Sequence, residues 1–446
     1  MRTHLQRSLI QRFCLCCLVG LATALSAQAA DEPSSFDQAR FEQWQKEGAR
    51  EQVPWKVRLL SRGLSVHQRL LAHFEIQADA DHILKHGRTG RVIAMIQLTD
   101  SKGETYRNDG TLKLSEMKPE TRNADVIFSW DAFVLPGDYR VDLALLDSQS
   151  GEHDFAQHRI RVDRLKLDPL SDAWRDLPAV EFWAPKEETD TDTLFHPDIE
   201  GKLNLQLATR RPVRIDLLAD LTASELFEGS HTAYTQYLRA VVPTLKVFSQ
   251  MEIPGGSLGV ATLDLKDRKI TFEQESTSNN AHSDADGKTG HEPAAVGLDW
   301  PRLKAAFKAT DPGTVNVRVL QDRHPSPAFL RDELLRRITA GNANPRASKA
   351  VPLQVHVLIS SPLVSYSFNN VESTPLPSAL AEQCACLIYY LEYDLVTVRN
   401  AGFSTIGKVE KMLKPLKVRS FPIYSAYDIR HALAVMLNEI AKAGQE

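Results

Sequence analysis

Apolar and polar residues alternate along 54–165. WKVRLLS at 55–61 and RLLAHFEIQA at 69–78 change side at every residue, as a strand with one buried face does. RVIAMIQLTD at 91–100, TLKLS at 111–115, DVIFSWDAF at 125–133, DYRVDLALLD at 138–147 and HRIRVDRL at 158–165 continue the series. Turn chemistry separates the runs: Ser101-Lys102-Gly103, Pro136-Gly137 and Ser148-Gln149-Ser150-Gly151. Short strands at regular spacing predict an immunoglobulin-like β-sandwich over 54–165.

From residue 212 the pattern changes. PVRIDLLAD at 212–220, SLGVATLDL at 257–265, PLQVHVLISS at 352–361 and CACLIYYLEY at 384–393 are nearly continuous apolar runs. Segments of helical period lie between and after them, at 232–249, 299–309, 327–341, 405–413 and 425–443. Strands apolar on both faces, alternating with amphipathic helices, predict a mostly parallel sheet covered on both sides, a three-layer Rossmann-like α/β domain over 212–446. No G-x-G-x-x-G and no G-x-x-x-x-G-K-[ST] follows a strand, so dinucleotide and phosphate-loop chemistry is unsupported.

Three segments lack such patterning. Residues 30–53 are polar and charged and read as a frayed leader with a short helix near 36–48. Residues 166–211, with Pro169, Pro178, Pro185 and Pro197 and the run KEETDTDT at 186–193, read as a linker in which Trp174, Phe182 and Trp183 can dock on a neighbour. Residues 276–296 form a polar insertion with little to bury and read as flexible.

The first 29 residues alter the reading of composition. Arg2, Arg7 and Arg12 precede FCLCCLVGLATAL at 13–25, and Ala27-Gln28-Ala29 ends the stretch. This is the layout of a cleavable secretory signal, and the apolar run is short for a bilayer span of about 20 residues. The expected location is secreted or periplasmic, with no transmembrane segment after cleavage. Losing three arginines takes the formal charge from −4 to −7, which gives no basic stripe for nucleic acid. Cys14, Cys16 and Cys17 leave with the signal, and only Cys384 and Cys386 remain. On a straight strand two such residues lie near the upper limit for a bridge, so the pattern favours two buried, reduced cysteines.

One group of residues resembles a ligand site. The first α/β strand ends in Asp220-Leu221-Thr222-Ala223-Ser224, where such folds place ligands. Asp220, Thr222 and Ser224 can turn oxygens toward one point and offer a place for Mg²⁺; alternatively Asp220 caps the turn that follows. D-x-T-x-S here is similar to the D-x-S-x-S of the von Willebrand factor A-like domain, and the resemblance covers about 212–443. It implies a metal-dependent adhesion site completed by a threonine from a second loop and an aspartate after a later central strand. Thr310 and Thr314 lie near the second loop in sequence, and the later strand runs into Ser360-Ser361-Pro362 without a carboxylate, so the site is degenerate. A sandwich followed by such a domain, after a signal, also resembles a group of secreted bacterial proteins.

Other residue types yield no motif. No H-E-x-x-H occurs, His356 reads as a core histidine inside a strand, and Ser360-Ser361 lacks a nucleophile elbow. Lys408, Lys411, Lys414 and Lys417 read as a solvated basic face. The function expected from these residues is non-enzymatic binding or scaffolding through another envelope or extracellular protein, without a cofactor. The alternatives are metal-dependent adhesion through Asp220, Thr222 and Ser224, and a hydrolase with a convergent site.

Overall fold

A computed structural model describes residues 38–117, 124–183, 201–222, 231–277, 297–310, 326–342, 352–361, 377, 384, 386–393 and 408–445. The signal stretch, residues 278–296 of the polar insertion, Ser224 and Thr314 lie outside the described residues. Chain order begins with α1 (Gln38–Glu47), β1 (Trp55–Leu64), β2 (Leu70–Asp79), α2 (Ala80–Leu84), β3 (Arg91–Thr99) and β4 (Thr105–Lys113). β5 (Asp125–Val134), β6 (Gly137–Asp147), β7 (His153–Val162) and β8 (Val180–Phe182) follow. They build two antiparallel sheets, ordered β1-β2-β5-β8 and β4-β3-β6-β7. Alternate residues of both sheets meet in one core: Phe74 and Ile76, Ile96 and Leu98, Phe128 and Trp130, Leu143 and Leu145. β1 bulges between Ser61 and Gly63, where Gly63 has φ +78°, a region that favours glycine.

The described part of the polar stretch before β1 is packed at α1, where a frayed leader with a short helix is expected. Phe41 and Trp44 of α1 are buried against Met95, Ala144, Leu146 and Phe155, on the side of the second sheet away from the shared core. Trp44 stacks on His153 at 4.6 Å, and Gln45 Nε2 donates to Asp142 Oδ2 at 2.7 Å. Two apolar residues at i and i+3 suffice for a ten-residue helix laid on a sheet.

The second half comprises β9 (Leu205–Gln206), β10 (Val213–Asp220), α3 (His231–Ser249), β11 (Met251–Glu252), β12 (Ser257–Asp264) and β13 (Lys269–Thr277). α4 (Trp300–Thr310), α5 (Pro327–Asn342), β14 (Leu353–Ser360), β15 (Cys386–Tyr393), α6 (Lys408–Leu413), β16 (Arg419–Ile423) and α7 (Ala426–Ala443) complete it. One six-stranded sheet runs β13-β12-β10-β14-β15-β16, parallel except for β13 at the edge. Strand alternation divides its side chains between two layers. Ile215, Leu217, Val355 and Val357 pack with Leu238 and Leu245 of α3 and Leu433 and Met436 of α7. Leu218, Leu358 and Tyr390 pack with Leu330 and Leu334 of α5 and Met412 of α6. Every residue of β14 is buried. Gly256 leads into β12 against the Val213 carbonyl, where a Cβ would stand 2.1 Å from that oxygen.

Residues 166–211 contribute to both halves. β8 pairs with β5, while Leu203, Leu205 and Leu207 join the core beneath α3 and β9 pairs with β11. Arg430 of α7 ties the halves together. Its Nε and Nη2 reach Asp168 Oδ1 and Oδ2 at 2.6 and 2.8 Å, Nη2 also donates to the Leu170 carbonyl at 2.8 Å, and the guanidinium lies 4.5 Å over Trp174. Trp174 Nε1 donates to the Gln68 carbonyl at 2.7 Å, and Gln68 Nε2 donates to the Ala426 carbonyl at 3.1 Å. Among the described residues no helix is long and apolar enough to cross a membrane.

Candidate functional site

β10 is flanked by β12 on one side and β14 on the other, so the chain changes direction across the sheet beside it. Crevices at such switch points, outside the carboxyl ends of the strands, are where open α/β sheets place ligands. Asp220 and Thr222 stand there, both buried. Asp220 Oδ1 accepts from the Thr222 N–H at 3.0 Å and from Thr222 Oγ1 at 2.5 Å. Thr222 Oγ1 in turn accepts from the Leu265 N–H at 2.7 Å, just past β12. Asp220 Oδ2 accepts from Ser360 Oγ at 3.2 Å, at the end of β14. The Tyr237 hydroxyl of α3 donates to the Asp220 carbonyl at 2.5 Å.

The result is a knot that fastens the ends of three strands and one helix. Both oxygens of Asp220 are engaged by protein hydroxyl and amide groups. Among the described residues no group of three or more His, Cys, Asp or Glu converges on a point where a metal ion could be held. The pair Asp220 and Thr222 is thus brought together, and Ser360 supplies a further hydroxyl partner to the carboxylate. Ser360 had no local signal as a partner of Asp220, since 140 positions separate them.

Burial pushes the Asp220 carboxyl up to about 6, with Asp264 nearby acting in the same direction; the bonds from Thr222 and Ser360 oppose the rise. A folded pKa above the unfolded value near 3.9 makes the neutral form the stabilising one. Its contribution is full below about pH 4 and is lost as pH rises through about 6, at a cost of about 3 kcal/mol. Asp220→Asn should therefore raise stability at pH 7 by about 2–3 kcal/mol and leave it nearly unchanged at pH 4. Urea denaturation of both proteins across pH 4–7 measures this; a destabilised Asn variant at pH 7 would show that ionised Asp220 is favoured in the fold.

A carboxylate with both oxygens occupied, in company with neutral hydroxyls, is a weak ligand for Mg²⁺, which releases its waters reluctantly. With a millimolar Kd, about 1 mM Mg²⁺ would add about 0.4 kcal/mol. Thermal melts with and without Mg²⁺ or Mn²⁺ should coincide. A rise of several degrees, absent in Asp220→Ala, would establish a working metal site.

Concave surfaces lie elsewhere among the described residues. One, about 550 Å³, is beside Asp168; Leu135, Pro136, Leu165 and Trp174 line it with Arg164, Asp168, Asp172 and Arg175. Another, about 540 Å³, is at the amino end of β15 and contains Cys384 and Cys386. These cysteines form a disulfide, contrary to the reduced pair expected. Their Cα atoms are 5.1 Å apart, inside the range that a bridge allows.

No family model and no curated protein matches the chain. Solved structures give local likenesses. A structural-genomics target of the Northeast consortium is 15% identical over 26% of this chain and 94% of its own, with a TM-score of 0.17. Proximal thread matrix protein 1 from the mussel byssus is 9% identical over 51% of this chain and 48% of its own, with a TM-score of 0.25. The putative ApaA protein of Bordetella pertussis is 9% identical over 26% of this chain and 98% of its own, with a TM-score of 0.16. Scores this low carry no argument about fold or function.

Proposed function

We propose that this chain is an exported, non-enzymatic binding or scaffolding protein that joins an immunoglobulin-like β-sandwich to a von Willebrand factor A-like module with a degenerate metal site. The two facing antiparallel sheets support the first assignment. The parallel sheet with helices packed on both faces, and the hydroxyl-bonded Asp220 at its switch point, support the second. The observation that carries the binding reading is the cleft beside Asp168. It offers an apolar floor of Leu135, Pro136, Leu165 and Trp174 with Arg164, Asp168, Asp172 and Arg175 around it; Arg175 pairs with Asp172 at 3.1 Å and Asp168 with Arg430, which leaves Arg164 as the cation in no ion pair among the described residues. Apolar lining with a few placed polar groups suits capture of a largely apolar partner segment, with Arg164 placed to meet one acidic side chain. The partner expected is another envelope or extracellular protein.

The test is co-purification of tagged chain from an envelope fraction, beside an Arg164→Glu/Arg175→Glu variant. One partner at stoichiometric level, lost in the variant, is expected. Retention by the variant would move the contact away from the cleft, and turnover of an ester or peptide panel would favour the hydrolase reading instead.

A further inference from the structure

The Cys384–Cys386 bridge stands apart from the strand-end knot, at the opposite end of the sheet. One residue separates the two cysteines. A loop this short removes little freedom from the unfolded chain, so the bridge stabilises the fold far less than one spanning a long loop. Its surroundings are those of a reactive pair. Both cysteines are only partly buried and line the 540 Å³ groove together with Leu416, Lys417, Arg419, Glu439 and Lys442. Arg419 is paired with Glu439, whereas Lys417 and Lys442 are in no ion pair among the described residues. Cations beside a sulfur favour its thiolate, both as the group that leaves when a disulfide is attacked and as the nucleophile afterwards. Leu387, partly buried, gives the groove an apolar surface that a peptide can touch.

We propose that this groove is a thiol–disulfide exchange site in which the Cys384–Cys386 bridge oxidises a peptide or protein bearing two thiols. A thiolate of the partner attacks one cysteine sulfur; the bond between Cys384 and Cys386 breaks, and its electron pair leaves on the other sulfur. The mixed disulfide is then attacked by the second thiolate of the partner, which releases the first cysteine. The partner loses two electrons and becomes a disulfide, while Cys384 and Cys386 become a dithiol and take up the two protons. The chemistry is separate from the binding role and needs no cofactor.

The test uses the full chain without denaturant. A synthetic peptide carrying two thiols should be oxidised by one equivalent of the chain, with both cysteines becoming available to an alkylating agent. Reduction by mercaptosuccinate should slow several-fold relative to 2-mercaptoethanol as salt rises from about 0.01 to 1 M, because the attraction of Lys417 and Lys442 for an anionic thiol is screened. Lys417→Gln/Lys442→Gln should lower the mercaptosuccinate rate by about 5-fold or more, and a wild-type-like melt would show that the variant is folded. A bridge that resists both thiols until denaturant is added, or equal salt dependence for the charged and neutral thiols, would overturn the proposal and make the bridge structural. The salt comparison needs only the wild-type chain, so it decides even if the double variant fails to fold.

Discussion

Arg337→Met should destabilise the protein by about 3–5 kcal/mol, the cost of stripping one partner from a buried ion cluster. Arg337 lies on α5 and is nearly covered. Its Nη1 donates to Asp216 Oδ1 at 2.7 Å, Nε to Glu333 Oε1 at 2.6 Å and Nη2 to Glu273 Oε1 at 2.6 Å. Asp216 on β10 is also buried, with His356 Nδ1 3.4 Å from its second oxygen. Burial alone would raise the Asp216 carboxyl, yet His356 and Arg337 hold it below the ordinary range. A depressed folded pKa contributes stability above the unfolded value near 3.9, and that contribution is lost as pH falls through the lower folded value. In Arg337→Met, burial of Asp216 has less opposition, so the variant should gain stability as pH falls toward 4 while the wild type does not. Urea denaturation at pH 4 and 7 reads both effects. Adding Asp216→Asn to Arg337→Met should recover part of the loss, because one of the carboxylates stripped of Arg337 is removed. A loss under 1 kcal/mol would mean that solvent reaches the carboxylates and compensates them.

Arg430→Ala should cost about as much, about 3–5 kcal/mol, and should also change how the protein unfolds. The side chain is 2% exposed and holds Asp168 by both oxygens. Its loss leaves the carboxylate of Asp168 without its fork and Trp174 without the cation above it. Burial pushes Asp168 up, but Arg430 and the Leu170 amide pull it below its usual value. The wild-type junction should accordingly hold above about pH 4 and weaken as pH falls through the lower folded pKa of Asp168. Arg430→Lys keeps the charge and loses the two-pronged geometry, so an intermediate loss is expected. Amide exchange at 168–177 and 426–433 should rise in Arg430→Ala, and denaturation followed by Trp fluorescence and by circular dichroism should separate into two transitions. Coincident transitions with unchanged protection would show that the other junction contacts suffice without Arg430.

How much of this was legible beforehand varies by element. β2 and β5 were plain because each alternates along its whole length, and alternation reports a single buried face. β10 and β14 were plain for the opposite reason, continuous apolarity, which requires cover on both faces. α1 was legible as a helix but not as packed, since Phe41 and Trp44 are its two buried residues. β8 was hidden because three residues hold no period, and only its pairing with β5 makes it a strand. In the candidate site, Asp220 and Thr222 were marked by their place after an apolar run. Ser360 was marked only as a place that lacks a carboxylate, and Leu265 and Tyr237 were not marked, because their contacts with that pair cross the sheet and no spacing along the chain encodes them.

By itself the sequence determined where the chain must be apolar on one face, on two, or on none, because burial periodicity is a local property of each segment. It also determined that an acidic oxygen and a hydroxyl stand at the end of the first α/β strand. Tertiary structure alone decided the strand order β13-β12-β10-β14-β15-β16, the use of Ser360 to occupy Asp220, the gathering of Arg337 among three carboxylates, and the lock of Arg430 on Asp168 262 positions away. Each of these depends on which surfaces meet in three dimensions. A guanidinium on a helix has the same local pattern whether it faces water or a buried carboxylate, and only the fold distinguishes the two.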